Sequence, residues 1–290
     1  MDRGRPTGQA AIRVAAGSGA AQVRTRTRDR RRALDRQREP LPTRVDATPA
    51  LPAAYERALE AGLAEIDVGI DPAQRSAIDG HVRLLLAWNR AINLTAIRDP
   101  ADVAIGHVTD SLTALPLLRE RDVERFVDLG SGGGFPGLPL ATALPAARAL
   151  LADSVGKKVR FLATVVEAVG LGGRVATFSG RAEILASATE HRERWPAVLA
   201  RAVAALPELV ELAFPLLEPG GILVAWKRGD IAAELSGAGR AVEGLGGGSL
   251  ETRDVAASSL TAHRLVVVRK DGRTPDRFPR DPRQRRRSPW

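Results

Sequence analysis

The 290-residue chain has no cysteine and four histidines, which excludes disulfides, thiolate metal sites and a cysteine nucleophile and leaves no basis for expecting a bound metal. No apolar run approaches the roughly 20 residues needed to cross a bilayer, and no apolar segment of the secretory kind follows the first basic residues, so a cytoplasmic location is expected. The net charge of +9 is unevenly divided: residues 1–50 carry 12 Arg against 5 acids (+7), residues 271–290 carry 7 Arg against 3 Asp (+4), and residues 51–270 are nearly neutral at −2.

Residues 1–50 combine Gly, Pro, Thr and Arg without helical or strand periodicity and read as a disordered basic leader. From 51 to 120 the pattern is helical. Leu51, Tyr55, Leu59 and Leu63 fall four apart on one face. Asp71-Pro72 suits an N-cap followed by proline at the first helical position. The helix it opens has Ile78, Val82, Leu85, Leu86 and Ile92 on its apolar face, with Trp88 at the edge. Asn93 to Thr95 ends that run, and Asp99-Pro100 starts another toward His107. Trp88, Asn89 and Asn93 read as packing and turn residues, and His107 with Asp110 as a helix-cap pair holding this region in place.

Residues 121–270 alternate strand and helix. The key stretch is Phe126 to Gly137, FVDLGSGGGFPG: a short buried strand, a glycine loop, then a first helical turn containing Pro136. Glycines let a ligand lie against bare main chain, and helix-terminal amides complete a ligand cradle at the carboxyl edge of an α/β sheet. Strands are expected over 147–151 (ending at Asp153), 174–178, 197–200 (ending at Arg201), 222–226, 249–255 and 263–269. Helices are expected over 157–169, 181–188, 206–217 and 231–245, with Pro219-Gly220-Gly221 terminating the third. Residues 271–290 read as a basic tail.

Gly132, Gly134 and Gly137 satisfy G-x-G-x-x-G, so a nicotinamide dehydrogenase has to be weighed. The first glycine after the strand is Gly130, however, which gives D-x-G-x-G from Asp128. In that phase the third fingerprint position is Phe135. Asp153, at the end of the next strand, suits ribose hydroxyls, since a carboxylate accepts both vicinal protons. The L-x-P-G-G before strand five and a closing strand hairpin favour an S-adenosylmethionine fold.

The succession NLTAIRDP, His107-x-x-Asp110-Ser111-Leu112, VDLGSGGGFPGLPLA, DSVGKKVRFL, GRAE, Arg201-Ala202 and LEPGG resembles the ribosomal small-subunit methyltransferase G family, the 16S rRNA guanine-N7 methyltransferases. It covers about residues 50–270, and the basic end FPRDPRQRRR also resembles tails of family members. Strand five departs from the family at Trp226-Lys227-Arg228, where Lys then Gly is common. The resemblance implies a Rossmann-like α/β class I methyltransferase with a seven-stranded sheet and a small N-terminal helical region. It also implies S-adenosyl-L-methionine as cofactor and 16S rRNA of the small ribosomal subunit as partner. Separately from the resemblance, a monomer is expected.

By matched position, Gly130 and Phe135 line the cofactor loop with Gly132 and Gly134, Ala182 and Glu183 flank the adenine, and Arg201 binds the cofactor and can bridge it to the guanine. Asp153 is the ribose ligand, and Asp128 orders the loop and the methionine amino end. No general acid or base is expected, because guanine N7 is an unprotonated nucleophile at neutral pH. Lys157, Lys158, Arg160, Arg228 and the Arg-rich end are candidate phosphate contacts.

Overall fold

The computed structural model describes residues 40–290; residues 1–39 of the expected leader lie outside the described residues. Residues 42–50, also expected in the leader, are instead tied to the helix Pro72–Ile92 by hydrogen bonds, with Thr48 buried. A short 3₁₀ turn, Val45–Ala47, lies within them. Trp88 Nε1 donates to Pro42 O at 2.7 Å and Arg83 Nε to Pro49 O at 2.9 Å.

The N-terminal helices follow their sequence signals. Helix α1 (Ala53–Glu65) buries Tyr55, Leu59 and Leu63 of the predicted stripe, while Leu51 lies before its first turn. Helix α2 (Pro72–Ile92) opens on Asp71 with a full capping box to Gln74 and buries Ile78, Val82, Leu85 and Trp88. Its end is fixed by Asn89, whose Oδ1 accepts from the amides of Leu94 (2.7 Å) and Thr95 (3.0 Å). Helix α3 (Pro100–Val103), capped by Asp99, runs into a π-helical segment, Ala104–Thr109, and then α4 (Asp110–Leu112) and α5 (Leu115–Glu120).

Seven strands follow: β1 (Arg125–Leu129), β2 (Arg148–Asp153), β3 (Val175–Ser179), β4 (Trp195–Arg201), β5 (Leu217–Arg228), β6 (Gly248–Asp254) and β7 (His263–Lys270). They form one sheet in the order β3-β2-β1-β4-β5-β7-β6. The first five are parallel, and β7 lies antiparallel between β5 and β6. The strand order reverses between β1 and β4, the place where open α/β sheets present a crevice at their carboxyl ends. Strand β1 is central and buried on both faces, Asp128 included. The helices between strands are α6 (Gly137–Ala143), α7 (Gly156–Ala168), α8 (Ala182–Ser187), α9 (Leu206–Ala213) and α10 (Ala232–Gly244). Leu209, Val210 and Phe214 pack with Ala238 and Ala241 over Val198, Leu223 and Val266.

Two further expectations change. Strand β5 starts at Leu217, and α9 ends at Ala213. Pro219-Gly220-Gly221 is therefore a bulge inside the strand rather than a helix terminator. Trp195 pairs with Leu217 but Ala197 pairs with Ile222, so the β5 side carries the extra residues. The basic end is also no free tail. It forms helix α11 (Pro282–Arg287), and Arg280 and Arg285 are drawn onto buried or half-buried carboxylates.

Candidate active site

The loop after β1 is held by its own hydrogen bonds. Gly130 N and Ser131 N donate to Ala152 O (2.8 and 3.0 Å), and Gly134 N and Phe135 N to Ser131 O (2.7 and 3.2 Å). Gly132 N donates to Asp153 Oδ2 and Gly137 N to Asp128 Oδ2, both at 3.0 Å. The expected helix-amide cradle is thus not formed, because the first amide of α6 is already bound to the β1 carboxylate. Gly130 and Gly137 are among the loop glycines that are sterically required. Gly130 has φ +69°, and a Cβ there would lie 2.7 Å from Val203 Cγ2; a Cβ on Gly137 would lie 2.5 Å from Asp128 Oδ2.

Beside this loop a cleft of about 440 Å³ opens at the carboxyl ends of β1, β2 and β4. Gly130, Asp153, Ala182 and Glu183 line it, as do Val155, Lys158, Val203, Glu208 and Arg285. Asp153 is fixed there by two amides, Gly132 N and Val155 N (3.0 and 2.8 Å). Asp128 lies beneath the loop. It is fully buried, its Oδ1 has no partner, and burial pushes its carboxyl up to about 7 despite the opposing Gly137 amide and Arg201 charge. Among the described residues the exposed large apolar side chains are Val155, Ile184 and Val203. Val155 and Val203 sit on the turns after β2 and β4, in the cleft wall, and Ile184 is on α8, the helix that follows β3.

The other side of the loop is closed. The Phe135 ring stacks between His81 (4.5 Å) and His107 (4.7 Å), with the Arg201 guanidinium 5.5 Å from its centroid. Arg201 is held by Asp110 Oδ2 (2.7 Å), Gly106 O (3.2 Å) and His107 Nδ1 (3.0 Å). Asp110 Oδ1 meets His263 Nδ1 at 2.9 Å, and Trp226 Nε1 donates to Asp110 O at 2.7 Å. Burial lowers both His81 and His107 to about 4, with the Arg201 charge adding to the effect at His107. Both rings are neutral at pH 7. His107 accepts from Arg201 through Nδ1, which leaves Nε2–H to donate to Thr95 Oγ1 at 2.6 Å.

With this geometry in view, a family model described as rRNA small subunit methyltransferase G (GidB) matches residues 74–259. The chain belongs to that family. Curated members of the methyltransferase G family from Deinococcus deserti and Halalkalibacterium halodurans are 42% and 38% identical to it, over 77% and 76% of this chain and 91% and 92% of theirs. Among solved structures, the O-methyltransferase from Bacillus cereus in complex with SAH superimposes with TM-score 0.53 at 18% identity, covering 74% of this chain and all of that one. The O-methyltransferase TomG from Streptomyces achromogenes in complex with SAM gives 0.50 at 17%, covering 74% and 98%. These two likenesses show the fold, the class I methyltransferase sheet expected from sequence.

For this methyltransferase G family member the predicted site residues divide into two sets. Gly130, Asp153, Ala182 and Glu183 share the cleft. Gly132, Gly134, Phe135 and Arg201 fall outside its lining, Gly132 acting through its amide on Asp153. Arg201 is not among the lining residues; Asp110 and His107 hold its guanidinium beside Phe135. His107 and Asp110 are not a mutual helix-cap pair: they belong to this buried network, which ties the N-terminal helices to β4, β5 and β7. Lys227 donates to Glu234 Oε2 (2.6 Å), which also receives Leu206 N (2.6 Å), so it anchors the start of α9. Sequence reasoning missed Val155, Val203, Glu208 and Arg285. The valines could have been found from their places just after Asp153 and Arg201; Glu208 and Arg285 carry no local signal. Among the described residues, no helix is long and apolar enough to cross a membrane.

Proposed function

We propose that this protein transfers the methyl group of S-adenosyl-L-methionine to N7 of a guanine in 16S rRNA of the small ribosomal subunit. The observation that carries the cofactor assignment is the polarity of the cleft and its loop. A dinucleotide places its pyrophosphate on loop and helix-terminal N–H groups, and here the amides of Gly130, Ser131, Gly132, Gly134, Phe135 and Gly137 are bound to Ala152, Ser131, Asp153 and Asp128. The ligand side offers instead the Asp153 carboxylate and the apolar faces of Val155 and Val203. The unpartnered Oδ1 of Asp128 lies under the loop. A ligand with ribose hydroxyls, a flat base, positive charge and no phosphate fits that set.

Asp153 would accept the ribose hydroxyls, held at the right angle by its two amides. Asp128 would balance the ammonium end, and Val155 and Val203 would flank the base. When bound, the cofactor supplies an electrophilic methyl on a sulfonium. The protein's remaining task is in-line positioning of a nucleophile that carries its own lone pair. No side chain is needed as a base. The histidines near the loop are consistent with this: His107 has both ring nitrogens hydrogen-bonded, and His81 is enclosed. Lys157 and Arg160 at the exposed start of α7, with Arg283, Arg286 and Arg287 on α11, supply cations for RNA phosphates.

The test is transfer of labelled methyl from S-adenosylmethionine into small subunits that lack their guanine-N7 methyl, followed by nucleoside analysis. Labelled 7-methylguanosine from one site is expected. Tight binding of S-adenosylhomocysteine without transfer would retain the cofactor and overturn the substrate.

A further inference from the structure

The matched family region ends at residue 259, yet a side chain near the end of the chain forms part of the cleft wall. Residues 274–290 are drawn across the body of the protein by successive anchors. Arg192 donates to the carbonyls of Phe278 (2.9 Å) and Thr274 (3.2 Å), and Phe278 enters the core. Arg280 pairs with the fully buried Glu211, which also receives Trp290 Nε1 at 2.6 Å. Asp281 caps α11, and that short helix delivers Arg285 to the cleft almost entirely buried. Its guanidinium is shared three ways: Nε donates to Glu208 Oε1 at 3.0 Å, Nη1 to Arg280 O, and Nη2 to Glu183 Oε1. Glu183 is on α8 and Glu208 on α9, the two helices whose first turns border the cleft opposite Asp153.

We propose that Arg285 is a positioning residue for cofactor binding: it clasps Glu183 and Glu208 together and so sets the width and charge of the base end of the cleft. All three nitrogens of its guanidinium face protein partners, so it acts through the two glutamates rather than on the ligand. Without it two carboxylates face each other across the site of an uncharged base, and α8 is free to move from α9. Linkage then requires the reverse effect: a bound cofactor holds α11 in place. This inference rests on the S-adenosylmethionine reading of the cleft.

Two measurements on the full chain test it. Calorimetric titration with S-adenosylhomocysteine should show at least tenfold weaker binding for Arg285→Met than for the unaltered protein. KM for S-adenosylmethionine should rise with kcat nearly unchanged, and Arg285→Lys should recover part of the loss. In the unaltered protein, saturating S-adenosylhomocysteine should slow tryptic cleavage after Arg283, Arg286 and Arg287 at least tenfold. This second experiment decides the matter if Arg285→Met does not fold. Equal affinity of Arg285→Met, or cleavage at an unchanged rate with ligand bound, overturns the clasp and leaves the cofactor assignment standing. Absence of binding by the unaltered protein overturns both.

Discussion

The two sides of the glycine loop are built on opposite principles. Toward the cleft stand a preset carboxylate, Asp153, and two exposed valines, Val155 and Val203, whose apolar faces a ligand would cover. Away from the cleft, Phe135 is closed in by His81, His107 and Arg201, and the polar atoms are largely paired among themselves. One side is arranged for a ligand and the other for rigidity, and the same turn serves both. Substitutions on the two sides should therefore separate stability from binding.

The largest effect is expected on the closed side. Asp110→Ala removes the buried carboxylate that the half-buried Arg201 and His263 share, and urea unfolding should show a loss of about 3–5 kcal/mol. If stability holds and only cofactor affinity falls, the assignment of Arg201 to the structural side is wrong. Next comes a pH effect from His81. Its ring is held near pKa 4 when folded, against about 6.5 when unfolded. The unfolded chain binds the extra proton below pH 6.5, so stability is full above that value and falls as pH drops toward 4. His81→Gln should flatten this slope by about 3 kcal/mol between those limits. Asp128, raised by burial, slopes the opposite way, and comparing the variant with the unaltered protein removes its contribution.

On the cleft side, Asp153→Ala removes the acceptor for two loop amides and for the ribose, and binding of S-adenosylhomocysteine should weaken about 100-fold, near 2.7 kcal/mol. Unchanged affinity would show that Asp153 is a loop staple alone. The smallest effect is expected from exposed cations. Lys157→Ala with Arg160→Ala should weaken subunit binding a few-fold and lower the salt slope by about one for each phosphate no longer neutralised, with cofactor affinity unchanged.

What could be read from sequence is set by the distance over which each residue finds its partner. Gly130, Asp153, Ala182 and Glu183 lie on βα turns whose placement follows from strand order, and all reach the cleft. Asp71 and Gln74 form their cap within three residues, and the repeat of Tyr55, Leu59 and Leu63 is local too. Arg201 was legible as a cation at a strand end, but its carboxylate lies 91 residues earlier, and no local pattern says that Asp110 takes it. Arg285 meets partners 77 and 102 residues away. In the sequence it looks like one of several arginines in a solvated run. The Pro-Gly-Gly after Glu218 shows the same limit: as a terminator it reads equally well as a bulge, and only pairing with β4 distinguishes the two.

The stack around Phe135 also makes the protein its own reporter. Imidazole protons lying over an aromatic face at 4.5 and 4.7 Å are shielded by the ring's circulating electrons, so the His81 and His107 resonances are displaced from that of His263, while His191 takes its own shift from Trp195 at 5.8 Å. His81 Nε2 is tied to Gly133 O at 2.7 Å. Any adjustment of the loop as a ligand enters the cleft therefore tilts that ring against Phe135 and moves its signal. In a spectrum of only four imidazoles, occupancy of one face can be followed from nuclei on the other.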